Sequence, residues 1–292
     1  AGVAWDSSLR RRKRSGRKLG VEAAPGLNPT FRERTEYPIR VVPRLRRLRA
    51  LILHRTPTRE KDRVVEVFSR EEGRLKLLAA GIRRFPSRRA GHLEPLMESA
   101  LVVSSSPRGD SIRDARVLRA FPRMRDDLVR LRSAFDIARL LREGTGQHLS
   151  DPRLYEAILA LFVALDSPRI PPTSLLTRSA ELHLLRHLGS LPDLSRCARC
   201  RRPLKAHQFT VHVSDSVFLC TRCVPGSAPP DLTNAVKLMR MLLARSVPPV
   251  RVAIPESISE ELTRAVQELL RSLEAQMGIR LRAPKRRAVT DP

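Results

Sequence analysis

Four cysteines carry the clearest chemistry in the 292-residue sequence. They fall as Cys197-x-x-Cys200, nineteen intervening residues, and Cys220-x-x-Cys223. Each C-x-x-C turn offers two thiolates, and a segment that folds back brings the pairs around one tetrahedral ion. Zinc suits such a set, and four thiolates leave no position for an activated water. The expected cofactor is therefore one structural zinc ion on Cys197, Cys200, Cys220 and Cys223. Two disulfides or a redox C-x-x-C are the competing readings. The lack of an apolar export leader stands against the first. The doubling of the motif, outside any βαβ pattern, stands against the second.

No other constellation supports catalysis. There is no G-x-x-x-x-G-K-[ST] loop for nucleoside triphosphates and no G-x-G-x-x-G after a strand. His183 and His187 are four apart, as in zinc proteases, but Leu184 stands where the general base belongs. They read as ordinary helix histidines. No H-x-E accompanies the cysteines, which removes a zinc deaminase. The reading is of a binding protein rather than an enzyme.

The charge says what is bound. Fifty-six Lys and Arg against thirty Asp and Glu leave +26. Codon usage can favour Arg over Lys, but it does not favour basic over acidic. A field of this size attracts polyanions, of which nucleic acid is the commonest. No run of about 18 apolar residues is present, so no membrane helix is expected. The expected location is cytoplasmic and nucleoid-associated.

The elements that must position these groups differ along the chain. Residues 1–43 hold Arg10-Arg11-Arg12-Lys13-Arg14 and no apolar periodicity, and read as a disordered basic arm. Residues 44–122 show five short strands, at Leu48–His54, Arg63–Ser69, Leu75–Ile82, Leu96–Ser104 and Ser111–Leu118, punctuated by Gly and Pro. Five strands in about 75 residues suit a small closed barrel, and the OB-fold, an oligonucleotide binder, leads. From residue 123 to 287 the period is helical. Leu128, Leu131, Phe135, Ala138 and Leu141 form one stripe, and Asp151-Pro152 caps a second helix along Leu154, Ile158, Leu161 and Leu165. Pro171-Pro172 opens a third, to about Leu188. Ser257 and Glu260 read as a capping box before Ile258, Leu262, Ala265, Leu269 and Leu273. Phe209–Val213 and Val217–Leu219 suit a hairpin beneath the metal, within a knuckle spanning 197–223. Residues 288–292 read as a frayed end. The fold class is thus α+β, an N-terminal OB-fold barrel followed by an α-helical domain carrying a four-cysteine zinc finger.

The nucleic-acid candidates lie on the barrel. Arg83, Arg84, Arg88 and Arg89 place four cations in seven residues of a loop after the third strand, with Arg74 and Lys76 at that strand's start. Arginines on a scaffolded loop can follow a phosphate backbone by charge-assisted contacts. The bland alternative is a solvated turn. The barrel segment offers only Phe68, Phe85 and Phe121 as aromatics, so stacking should add little and phosphate contacts should dominate.

This order of parts resembles the bacterial recombination mediator family RecO, over roughly Leu48 to Arg287. The resemblance is carried by Ala50-Leu51-Ile52-Leu53-His54-Arg55 with Phe68-Ser69-Arg70-Glu71-Glu72-Gly73-Arg74-Leu75, by Ala80-Gly81-Ile82-Arg83-Arg84 through Leu93-Glu94-Pro95-Leu96, by Ala120-Phe121-Pro122, and by Leu188-Gly189 through Pro192-Asp193-Leu194 into Cys197-Ala198-Arg199-Cys200. It implies single- and double-stranded DNA as ligands, strand annealing, and action with RecR to displace single-strand-binding protein, which indirectly loads RecA in DNA recombination and repair of DNA damage. It also implies a basic DNA-contacting loop where residues 83–89 stand. The arm at 1–43 has no counterpart, and Phe218-Leu219 replace the small residues usual before the third cysteine. Charge and cysteines alone also admit an RNA- or ribosome-associated zinc-ribbon protein.

Overall fold

The computed structural model describes residues 44–58, 62–80, 90–107, 109–170, 174–204, 211–214, 217–224, 231–247 and 254–281. The arm at 1–43, the loop holding Arg83 to Arg89, and the end at 288–292 lie outside these.

Five strands follow the predicted order: β1 (Leu45–Pro57), β2 (Arg63–Ser69), β3 (Gly73–Ala79), β4 (Glu98–Ser104) and β5 (Ser111–Arg119). β1 is longer than its apolar run, because Arg46 and Arg47 extend its ladder against Val103 and Val102 of β4. Leu96, expected to open β4, instead sits at φ 67 before it. Hydrogen bonding runs β1-β2-β3-β5-β4, and the β1–β4 pairing closes the sheet into a barrel. All pairs are antiparallel except β3–β5, which meet in parallel at Leu78 and Ser111. Barrel closure removes the exposed edges that a five-stranded sheet would otherwise present.

Period-2 alternation puts Leu48, Ala50, Ile52, Val65, Val67, Leu75, Leu77, Leu101 and Val103 into one core inside the barrel. The other face of β1 is also apolar. Leu51 and Leu53, with Leu51's cross-strand partner Phe68, belong to a second core shared with the helices. That is why β1 reads as nearly continuous apolar sequence: one face fills the barrel, the other is covered. Each such side chain contributes about 1.5–3 kcal/mol on burial.

Among the described residues six α-helices follow the barrel: α1 (Pro122–Asp126), α2 (Leu128–Gly144), α3 (Pro152–Asp166), α4 (Ser174–His187), α5 (Thr233–Arg245) and α6 (Glu256–Met277). Asp151 caps α3 as expected, its carboxylate accepting from the N–H groups of Arg153 at 2.9 Å and Leu154 at 3.0 Å. Asp127 caps α2 in the same way. Two expectations need correction. The predicted α2 stripe is rotated: Leu128 is 83% and Phe135 48% exposed, while Ala134, Ile137, Leu140 and Gly144 join Ala138 and Leu141 inside. The Ser257–Glu260 capping box does not form. α6 begins earlier, at Glu256 with Pro255 as its cap, so Ser257 already lies in the first turn.

The α2–α3 connection crosses the barrel at the β2–β3 turn. The Arg74 Nε donates to the Thr145 carbonyl at 2.8 Å, and the His148 N–H donates to the Arg74 carbonyl at 3.1 Å. Gly73 has φ +71, and a Cβ there would fall 2.0 Å from the Leu149 carbonyl oxygen. Arg142 reaches Glu66 at 3.2 Å, and Arg125 donates to the Pro95 carbonyl at 2.5 Å. Barrel and helices therefore share backbone as well as side-chain contacts.

Candidate metal centre and nucleic-acid interface

The first C-x-x-C closes on itself as a tight turn. The Arg201 N–H donates to the Cys197 carbonyl at 2.9 Å, and the Cys197 N–H to the Arg202 carbonyl at 2.9 Å. Arg201 takes φ 61 to make the reversal. The second pair ends the expected hairpin, β6 (Val211–Ser214) against β7 (Val217–Cys220). Cys220 is the last residue of β7, and the Cys223 N–H returns to its carbonyl at 2.8 Å. The Ala198 N–H donates to the Phe218 carbonyl at 3.0 Å, which joins the two knuckles.

All four Sγ atoms lie within 4.8 Å of one another, and Cys200 and Cys220 are 3.7 Å apart. Ligand–metal distances of about 2.3 Å in a tetrahedron require sulfurs about 3.8 Å apart, so the donors fit a four-coordinate ion. Electrostatics agrees. Burial works against the Cys197 thiolate, but N–H groups of Cys200, Cys220 and Arg199 aim at it and bring it down to about 6. Burial, and then the neighbouring Cys200, Cys220 and Cys197 sulfurs, push Cys223 up to about 12. Four sulfurs this close cannot all be anionic unless a cation lies between them. Among the described residues this is the one cluster of three or more such ligands.

The hairpin is anchored by the residues before the third cysteine. Phe218 and Leu219 are buried in the helical core, where small residues would leave a void. Arg240 of α5 donates to the Leu194 carbonyl and, at 3.0 Å, to the Leu204 carbonyl, clasping both ends of the first knuckle. Nothing in the sequence marks Arg240 out from the other arginines.

The histidines serve packing. His187 Nδ1 meets Asp151 Oδ2 at 2.8 Å. His183 is buried, its Nδ1 2.7 Å from Arg186 Nη2. Burial, and then Arg186, push it down to about 4, so its ring is neutral.

Of the basic candidates, Arg83, Arg84, Arg88 and Arg89 fall outside the described residues. Lys76 is exposed on β3, whereas Arg74 is half-buried and committed to Thr145. Phe68 and Phe121 are buried, stacked on Tyr155 and set edge-on to Phe162. Neither offers a face to a base. Sequence reasoning missed that strand register gathers arginines on the outer wall of the barrel, two of which, Arg49 and Arg119, are engaged by Glu98. Strand register sets Arg49 beside Ala100 and Ala100 beside Arg116, with Arg47 one row along and Arg119 at the far end. The signal was present in β1, where Arg47 and Arg49 alternate with Leu48 and Ala50, but pairing was needed to add Arg116.

Fold and site define a two-part protein, a five-stranded barrel joined to a helical domain that carries a four-cysteine knuckle. Comparison with known proteins gives the same division. Residues 44–121 match the model of recombination protein O N terminal, and residues 125–276 that of recombination protein O C terminal. A protein named DNA repair protein RecO from Anaeromyxobacter sp. (strain K) is 31% identical over 240 residues, 81% of this chain and 93% of that one. Proteins of the same name from Dehalococcoides mccartyi (strain ATCC BAA-2266 / KCTC 15142 / 195) and Roseiflexus sp. (strain RS-1) are 25% and 29% identical, over 76% and 78% of this chain and 88% and 80% of theirs. The chain belongs to the recombination protein O family.

Proposed function

We propose that the chain is a non-catalytic DNA-binding protein of recombinational repair. It binds single- and double-stranded DNA, anneals complementary strands, and helps load RecA on strands coated by single-strand-binding protein, acting with RecR. The observation that carries this reading is the family match across both halves, joined to a net charge of +26. The β1-β2-β3-β5-β4 closure, with its one parallel contact between β3 and β5, supports an OB-fold barrel as the DNA-binding part. The buried aromatics support binding through phosphates rather than bases. Basic loop residues Arg83, Arg84, Arg88 and Arg89, with Lys76 and Arg74 alongside, are the proposed track. The cysteine set supports one structural zinc ion, whose role is to hold the knuckle. No described helix is long and apolar enough to cross a membrane, and the proposed location is cytoplasmic, with the nucleoid.

The test is strand annealing with complementary oligonucleotides, bare and coated with single-strand-binding protein. Acceleration of both supports the reading. Structured RNA that outcompetes single-stranded DNA, with no annealing, would favour a zinc-ribbon RNA binder instead.

A further inference from the structure

A concavity of about 490 Å³ lies where the β2–β3 turn meets α3, α4 and the end of α5. Three arginines from three elements line it: Arg70 from the turn, Arg153 from α3 and Arg186 from α4. Among the described residues Glu156 is the one carboxylate in the lining, and it is matched by Arg70 at 2.9 Å. Among the described residues no hydrogen bond or ion pair engages the Arg153 guanidinium. Arg186 is held in place. Its Nη1 donates to the Leu243 carbonyl at 3.2 Å, and its Nη2 lies 2.7 Å from His183 Nδ1. A guanidinium only donates, so Nδ1 accepts, and the contact needs no charge on the ring. Neutral His183 thus orients the cation without cancelling it. The hollow keeps a net positive charge.

We infer that this hollow holds phosphates of a single nucleic-acid strand, a second binding surface on the helical domain apart from the barrel loop. The inference rests on the proposed DNA-binding function and deepens it. Arginine is the side chain best suited to phosphate, and here two of the three cations are fixed by neighbours before any ligand arrives. The one aromatic ring among the described lining residues, the His183 imidazole, is buried and engaged by Arg186, so the surface would grip backbone without reading sequence. Annealing brings two strands together on one protein, and two separate tracks allow each strand its own site.

The experiment uses the full chain and a mixed-sequence 30-mer single strand. Arg153→Ala with Arg186→Ala should lower the slope of log affinity against log salt by about 1.4, two contacts at about 0.7 each. Annealing should slow by about tenfold or more, and Arg153→Ala alone, which removes no hydrogen bond or ion pair among the described residues, should slow it with unchanged thermal melting. Arg264→Ala with Arg271→Ala, exposed on α6, is the control for overall charge. A photo-crosslinker at Ala244, in the lining, should label the strand. Equal losses in the two double variants, or no crosslink while the unmodified protein still binds the same oligonucleotide, would overturn the inference. Displacement of the crosslink by an acidic peptide but not by phosphate-bearing competitors would overturn it too. Failure of the unmodified chain to bind any single strand would instead remove the proposed function on which it stands.

Discussion

The Tyr155 hydroxyl donates to Glu98 Oε1 at 3.0 Å, across the junction between α3 and β4. Glu98 is fully buried, and it also accepts from Arg49 of β1 at 2.8 Å and from Arg119 of β5. One carboxylate therefore ties three strands of the barrel wall and one helix. Burial, and then Glu98, push the Tyr155 hydroxyl well above its ordinary range, so it remains a donor. The ring meanwhile stacks on Phe68 at 6.2 Å.

Glu98→Ala should destabilise the chain by roughly 2–4 kcal/mol, since it orphans the buried hydroxyl and two arginines. Both arginines are about half exposed and regain water, which keeps the loss below that of a fully buried pair. Tyr155→Phe keeps the stacking and should cost only about 1–2 kcal/mol. Urea unfolding checks both, and an unchanged midpoint for Glu98→Ala would remove the carboxylate's proposed role.

Purified protein should carry about one zinc per chain. Cys197→Ser or Cys220→Ser, or a chelator, should loosen the helical domain while largely sparing the barrel, because Phe218 and Leu219 lose their anchor in the helical core. Hydrogen exchange resolved by segment makes the measurement. Equal protection and equal DNA binding with and without metal would refute a structural ion.

Gly73→Ala should be among the most damaging single changes in the barrel. The φ of +71 costs an L-residue about 1–2 kcal/mol, and the new Cβ meets backbone at Leu149 rather than a movable side chain. The α2–α3 connection must then lift from β3. Thermal melting of the variant several degrees below the parent is expected, with protection lost at His148.

Glu181 makes stability depend on pH. Burial pushes it up to about 7, only partly offset by Arg178 and Arg139. The folded state thus holds a proton that the unfolded state, near 4.5, has lost. The group's contribution is complete below about 4.5 and is lost as pH rises through about 7. At about 1.4 kcal/mol per unit the span is roughly 3 kcal/mol at most. His183, lowered to about 4, has the opposite slope between about 4 and 6.5. Glu181→Gln should therefore make stability rise more steeply with pH than in the parent. Urea midpoints from pH 5 to 8 that run parallel in the two proteins would refute this.

Changing Arg83, Arg84, Arg88 and Arg89 to Ala should weaken binding to all DNA sequences about equally and flatten the salt slope by several contacts, with folding unchanged. Four alanines at Arg264, Arg271, Arg280 and Arg282 provide the control. Equal loss in both quadruple variants would mean that only the overall positive field matters.

The cysteine spacing by itself announced a cluster of four sulfur donors, because a tetrahedral ion demands four donors and two short turns can supply them. The strands and the Asp151-Pro152 start of α3 were equally legible, since alternation and capping are local. What local pattern could not contain is which face another element covers. Leu128 and Phe135 read as core at helical spacing, yet α2 turns Ala134, Ile137, Ala138, Leu140 and Leu141 inward. Ser257 matched a capping box, yet α6 starts a residue before it, with Pro255 at its cap. Leu51 and Leu53 alternate with the barrel-facing Leu48, Ala50 and Ile52 and prove to be the barrel's seam with the helices. Arg240 at the knuckle, Glu98 beneath Tyr155, and the meeting of Arg70, Arg153 and Arg186 join residues from 33 to 116 positions apart. Such contacts arise only when the elements pack, because burial energy depends on the surfaces that meet and not on the order of residues along the chain.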